Sequence, residues 1–312
     1  MRFMNRREFH ALCVALGSSL PAGRPLFAAP LDANAGTSAA RTVKLRDGTI
    51  VPALGQGSWH LGQGRRPEAA EEEALRVGLS LGMTLIDTAE GYGEGRSEEL
   101  IGRVIAGQRD RVFLVSKVWP IHAKGDAMAR ACEASLARLG TDYLDLYLLH
   151  WRIPDTDLPG VVAAFESLRS AGKIRAWGVS NFSLADMEEL IKVPNGDRCA
   201  TNQTHYNLGA RGIENDLLPW CEQHGMPVMA YSPLGGAGAN LLRDPTLAQI
   251  GDAHGCSAAG VVLAWTIRSG HVITIPESGS AEHVRENAVA LSLVLTPQEL
   301  QILDEKYRPP KR

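Results

Sequence analysis

The chain has 312 residues, 45% of them hydrophobic, with 32 Lys+Arg against 35 Asp+Glu and a formal net charge of −3. That is enough chain for one large core in one or two domains, a size that single α/β barrels reach, and the near-even charge, with no block of five like charges, gives no strong field for nucleic acid or an anionic membrane. The 32 Gly and 17 Pro follow no repeat, no uncharged run approaches the ~18 apolar residues of a membrane span, and the five cysteines (Cys13, Cys132, Cys199, Cys221, Cys256) include no CxxC pair, so collagen-like chains, zinc ribbons, redox pairs and disulfide scaffolds are unsupported.

Residues 1–35 read as an address. Arg2, Arg6 and Arg7 come first, an uncharged and moderately apolar stretch runs from Ala11 to Leu20, and small residues end in Ala33-Asn34-Ala35 before Gly36. This is the order of a bacterial export signal. Its core, Asn5-Arg6-Arg7-Glu8-Phe9, resembles the twin-arginine type, which exports folded proteins. The expected location is the periplasm, with the cytoplasm as the alternative if the segment is only a tail.

From Thr42 onward, extended and amphipathic segments alternate. Thr42–Leu45 and Thr49–Pro52 flank Arg46-Asp47-Gly48, a β-hairpin signal with glycine in the turn. Eight short apolar runs then read as buried strands: Ala53–Gly57, Thr84–Asp87, Val112–Val118, Tyr143–Leu149, Ile174–Val179, Ala200–Gln203, Val228–Tyr231 and Val272–Ile275. Helices are predicted over Pro67–Gly82, Ala127–Leu139, Pro159–Gly172, Asn215–His224, Pro245–His254, Ala258–Arg268 and Ala281–Ala290. Glu68, Glu71, Glu72 and Glu73 crowd the first turns of the first helix, where acids suit the N-terminal dipole. Repeated strand–helix alternation after a hairpin predicts a (β/α)8 TIM barrel of the α/β class over residues 42–307, with 308–312 as a tail. A doubly wound dinucleotide-binding sheet is disfavoured, because Gly55 and Gly57 lack the third glycine of its phosphate loop and Gly91, Gly93 and Gly95 lack the spacing.

In a barrel the C-terminal strand ends face the active site. Here they carry Asp87, with Tyr92 in the following loop, then Lys117, His150-Trp151, Ser180-Asn181, Asn202-Gln203 and Tyr231-Ser232. Any one of these could be structural. Asp, Tyr, Lys and His converging on one face point to acid–base chemistry.

The motifs at these ends resemble one family. Gly82–Gly93 reads Gly-Met-Thr-Leu-Ile-Asp-Thr-Ala-Glu-Gly-Tyr-Gly, similar to the aldo-keto reductase signature in which Asp and Tyr stand five apart. Asp145–Trp151 resembles that family's histidine strand, Gly178–Phe182 its carboxamide-binding loop, and Lys117 its lysine. Cys132–Leu136, Leu218–Cys221 and Met229–Leu234 look most like the bacterial branch that reduces methylglyoxal and diketogluconates. The resemblance implies reduction of a small aldehyde or ketone to an alcohol by hydride transfer from NAD(P)H. Such chemistry needs a proton donor where negative charge develops on the carbonyl oxygen. Tyr92 is that donor by resemblance, Lys117 lowers its pKa from about 10, Asp87 holds Lys117, and His150 orients the carbonyl.

The resemblance also assigns the cofactor contacts. Ser180, Asn181 and Gln203 match the nicotinamide-amide set, Tyr231 the ring-stacking aromatic, Ser58 and Asp87 the ribose region, and Ser232 and Leu234 the pyrophosphate loop. At the adenosine end the family run Ile-Pro-Lys-Ser, with an arginine five residues on, becomes Ile275-Pro276-Glu277-Ser278 with His283, then Glu286-Asn287. Both cations expected at a 2′-phosphate are replaced, one by a carboxylate that repels phosphate and suits ribose hydroxyls; Arg285 is a substitute two residues out of place. NADP(H) is still favoured on the family's habit, with NAD(H) the alternative. Trp59, Trp119 and Trp151, with His150, are the expected substrate pocket, and the loop Gly235–Asn240 has little bulk. A monomer is expected, with no metal. The alternatives are a nucleotide-sensing module with little turnover and a Schiff-base lyase using Lys117, since strand-end lysines also serve aldolases.

Overall fold

The computed structural model describes residues 41–235 and 240–311; the address segment 1–35 and most of the loop 235–240 lie outside them. The chain starts as the predicted hairpin, β1 (Thr42–Lys44) paired antiparallel with β2 (Ile50–Pro52). Gly48, at φ 93°, takes the left-handed turn position, and Asp47 Oδ1 accepts a hydrogen bond from the Thr49 amide.

Eight parallel strands follow: β3 (Gln56–Gly57), β4 (Leu85–Asp87), β5 (Phe113–Val118), β6 (Leu144–Leu149), β7 (Ile174–Ser180), β8 (Asn202–His205), β9 (Val228–Tyr231) and β10 (Val272–Thr274). They hydrogen-bond in sequence order. The sheet closes on itself where Leu54 bridges Thr274 and Gly57 bridges Glu277, both parallel. All eight predicted strands are present, though the first shrinks to two residues plus the Leu54 bridge.

The helices are α1 (Glu68–Ser80), α2 (Arg96–Ile105), α3 (Gly125–Leu139), α4 (Leu158–Ser170), α5 (Leu184–Leu190), α6 (Leu217–Gln223), α7 (Pro245–Ala253), α8 (Ala258–Thr266), α9 (Ala281–Ala288) and α10 (Pro297–Lys306). Three of these, α2, α5 and α10, are absent from the sequence expectation. The chain enters α2 straight from Gly91–Gly95, with Gly93 and Gly95 at positive φ, and that glycine punctuation reads as loop. Helices α5 and α10 carry a legible signal: Ser183 with Asp186, and Thr296 with Glu299, form reciprocal capping boxes.

Alternation sorts the strand side chains. Leu85, Val115, Leu146, Leu148, Ala176, Met229 and Ile273 pack inside the barrel with Val43, Leu45 and Val51 of the hairpin, which plugs the end where the strands begin. Ile86, Leu114, Tyr147, Leu149 and Trp177 point outward under the helices. At the C-terminus, Arg211 and Asn215 donate to the carbonyls of Tyr307 and Pro310. Among the described residues no helix is long and apolar enough to cross a membrane.

Candidate active site

The two-residue period of each strand carries a polar residue onto the inward face just above this plug: Leu85 to Asp87, Val115 to Lys117, Leu148 to His150, Ala176 to Ser180 over two steps, and Met229 to Tyr231. Lys117 is fully buried. Its Nζ donates to Asp87 Oδ2 at 2.6 Å, to the Thr88 carbonyl at 2.9 Å and to the Tyr92 hydroxyl at 3.0 Å. Gln203 Nε2 donates to the other carboxylate oxygen of Asp87 at 2.7 Å. The rings of Tyr92 and His150 meet edge to face, 5.6 Å between centroids at 74°. The four acid–base candidates are therefore one cluster.

Burial works against the Lys117 ammonium, yet Asp87 and Tyr92 outweigh it and hold its pKa above the ordinary value. Burial pushes the Asp87 carboxyl up, against Lys117 and Gln203. For Tyr92, burial is the largest effect and raises the phenol; Lys117 opposes it, while Asp87 and Glu277 add to it. The net direction is opposite to the lowering expected from Lys117 alone, so the phenol is firmly protonated at neutral pH. Burial, and then Lys117, lower His150 to about 3, which makes it a neutral imidazole. The Schiff-base alternative finds no support in this geometry. The three bonds of Nζ use all the protons of an ammonium whose pKa is raised by Asp87 and Tyr92, which disfavours the free amine needed to attack a carbonyl.

A cleft of ≈ 910 Å³ opens over the cluster. Its walls include Ser58, Trp59, Asp87, Tyr92, Trp119, His150, Trp151, Ser180, Asn181, Gln203, Tyr231, Ser232, Leu234 and Glu277. Ser278, His283, Glu286 and Asn287 are not among them. Ser278 hydrogen-bonds locally with Ser280, His283 is exposed on α9, and Asn287 is buried there. Ser58 braces two strand ends, its hydroxyl donating to the Asp87 carbonyl at 2.8 Å. Asn202 is structural, with its side-chain amide donating to Phe182 O.

Asn181 sits at φ 60°, a conformation asparagine tolerates. Its Nδ2 donates to His150 O and Ser180 Oγ, and its Oδ1 accepts from the Tyr231 hydroxyl at 2.9 Å. The Tyr231 ring rests on His205, 5.4 Å between centroids at 19°. His205, a prop for the stacking ring, has no signal in the sequence. Ser180, Asn181, Gln203 and the ring face of Tyr231 together fit a planar ring bearing a carboxamide, the reactive end of a nicotinamide.

Glu277 does not project freely toward a ribose. Its carboxylate accepts the His60 amide at 2.8 Å, and its other oxygen lies 2.9 Å from His60 Nδ1. Trp59 stacks on His60 (4.4 Å, 25°), and Trp119 faces Trp151 at 6.0 Å. Trp119 is held by Glu90, whose Oε1 accepts its amide at 2.6 Å. Its indole lies on Gly91, where a Cβ would come within 2.0 Å of Nε1. His60 and Glu90 are thus further parts of the site.

Comparison with known proteins points to one family. Residues 53–308 match the Aldo/keto reductase family. The chain is 52% identical over 264 residues to methylglyoxal reductase YeaE of Escherichia coli (strain K12), covering 84% of this chain and 93% of that protein. It is 35% identical over 274 residues to the glyoxal reductase of Bacillus subtilis (strain 168), covering 86% and 93%. Among solved structures, an aldo/keto reductase from Klebsiella pneumoniae in complex with NADP and acetate superposes with a TM-score of 0.85 at 50% identity, covering 88% of this chain and 97% of that one.

Proposed function

The chain belongs to the aldo/keto reductase family and is an NAD(P)H-dependent carbonyl reductase, and from that premise we propose that it reduces small 2-oxoaldehydes of the methylglyoxal class, with NADPH favoured and Tyr92 as the proton donor. The observation that carries the proton-donor assignment is the buried chain Gln203–Asp87–Lys117–Tyr92, which ends at a protonated phenol beside a neutral imidazole. The substrate class draws support from relatives named for methylglyoxal and glyoxal, and the cofactor from the NADP held by the Klebsiella structure.

A bound nicotinamide supplies the hydride. Tyr92 and His150 together bracket the place where the carbonyl oxygen gains charge. His150, uncharged, donates a hydrogen bond there and fixes the oxygen's direction. Tyr92 delivers the phenolic proton. As that proton leaves, phenolate charge grows 3.0 Å from the Lys117 ammonium, so Lys117 stabilises the transition state more than the resting phenol. Asp87 keeps Lys117 charged and aimed. Ser180, Asn181 and Gln203 orient the carboxamide, and Tyr231 supports the ring. Trp59, Trp119 and Trp151 exclude water from the remaining walls.

We take the working unit to be a monomer, since one chain supplies the whole catalytic cluster; light scattering of the purified protein tests this. The activity test follows loss of reduced nucleotide when the full chain meets methylglyoxal with NADPH or NADH. Turnover at least as fast with NADPH is expected. No consumption of either nucleotide, with methylglyoxal or with an aromatic aldehyde, overturns the reading.

A further inference from the structure

The cleft has an unbalanced charge for its proposed cofactor. A dinucleotide brings a pyrophosphate, and NADPH a further 2′-phosphate, yet the carboxylates of Asp87 and Glu277 line the walls. The loop after β10 sends no cation into the cleft, because Glu277 stands in it and His283 and Arg285 are exposed on α9, outside the lining. Among the described residues that form the walls, Arg65 is the only lysine or arginine. Its guanidinium makes no hydrogen bond or ion pair with any described residue. Arginines elsewhere are mostly engaged: Arg138 with Glu98, Arg103 with Glu68 and Glu72, Arg109 with Asp145.

The loop between β3 and α1 that carries Arg65 is firmly built. The Leu61 amide donates to Ser58 O at 3.1 Å, and Leu61 itself is buried. Glu71, 1% exposed, reaches back from α1 to accept the Gly62 amide at 2.8 Å. Gly62 sits at φ +73°, so close to Arg96 O that a Cβ would come within 2.8 Å of it. His60 ties the same loop to Glu277 across the barrel seam. The acids near Arg65 are therefore committed to backbone and histidine groups, and the arginine is left without a partner on a wall that must meet phosphate.

We propose that Arg65 is a phosphate contact of the dinucleotide, replacing from the β3 loop the cations that the β10 loop lacks. The inference rests on the nucleotide-dependent reductase reading. In it Glu277 positions the Arg65 loop through His60.

Dissociation constants of the full chain for NADPH and NADH, from quenching of tryptophan fluorescence, test the proposal. Arg65→Gln should weaken NADPH by about tenfold, the scale of one solvent-screened, charge-assisted contact, and Arg65→Lys should fall between it and the parent. An NADPH loss with NADH unchanged places the contact on the 2′-phosphate, and an equal loss for both places it on the pyrophosphate; either outcome supports the assignment. Arg111→Gln, exposed just before β5 at the far end of the barrel and outside the lining, should leave both constants within about twofold. Unchanged binding in Arg65→Gln, or an equal loss in Arg111→Gln, overturns it. If the parent protein binds neither nucleotide, the reductase reading itself falls, an outcome distinct from normal parental binding with an unaffected variant.

Discussion

At the scale of single residues, the site divides labour between a group kept protonated and a group kept neutral. In the proposed mechanism the Tyr92 phenol gives a proton and does not hold the nucleotide. Tyr92→Phe should therefore preserve NADPH affinity and lower kcat by at least the ~10²–10⁴ typical of general acid–base catalysis; near-parental turnover would remove the proton-donor assignment. The same titrations set the pH profile. With His150 at about 3 and Tyr92 above its ordinary value, neither group changes charge between roughly pH 5 and 9. The kcat for reduction should be flat there, and an acid limb centred near an ordinary imidazole would show that His150 is solvated. His150 also affects stability. Below its unfolded value of 6.5 the unfolded chain takes up a proton that the folded site refuses, so stability is lost as pH falls from 6.5 toward 3. His150→Gln should reduce the fall of Tm across that window.

At the scale of elements, the strands were legible as short apolar runs, four of which carry a polar residue two positions beyond an apolar one on the same face. Asp87, Lys117, His150 and Tyr231 follow from that period, while Gln203 follows polar Thr201 and was read from its strand-end position alone. The helices were less legible where glycine preceded them, as at α2, or where they were short, as at α5, although Ser183 and Thr296 announced two of them. Contacts between loops were not legible at all. His60 and Glu277 stand 217 residues apart and meet only because β3 closes on β10. Glu277 read alone suggests a ribose acceptor; Glu277 beside His60 is a clasp across the seam. This changes the expected result of restoring the missing cations. His283 lies outside the cleft, so His283→Arg alone should leave both nucleotide constants near parental values. Glu277→Lys should raise affinity for NADPH relative to NADH, but it also leaves His60 without its acceptor. Binding of NADH should therefore weaken in Glu277→Lys, and also in His60→Ala, as measured by fluorescence titration. Unchanged NADH binding in both variants would show that the clasp does not shape the cleft.

At the scale of the whole molecule, the barrel closes by joining its first strand to its last, through Leu54 with Thr274 and Gly57 with Glu277. The nucleotide cleft spans that seam, so the site exists only once the full chain has folded. This bears on the segment ahead of the barrel. A route that threads unfolded chain would separate folding from the compartment that holds dinucleotide, whereas the twin-arginine route carries a folded protein with its cofactor in place. The order Asn5-Arg6-Arg7-Glu8-Phe9, apolar stretch, Ala33-Asn34-Ala35 resembles the signal of that route, and export by it is our proposal. Residues 1–35 fused to a reporter should send it to the periplasm of a bacterium with an intact twin-arginine system. Arg6→Lys combined with Arg7→Lys should keep it in the cytoplasm, because the paired guanidinium groups and not charge alone define the signal. Fractionation of cells carrying the two fusions decides the matter: a parental fusion found only in the cytoplasm makes the segment a tail, and export that survives both substitutions assigns it to a different route.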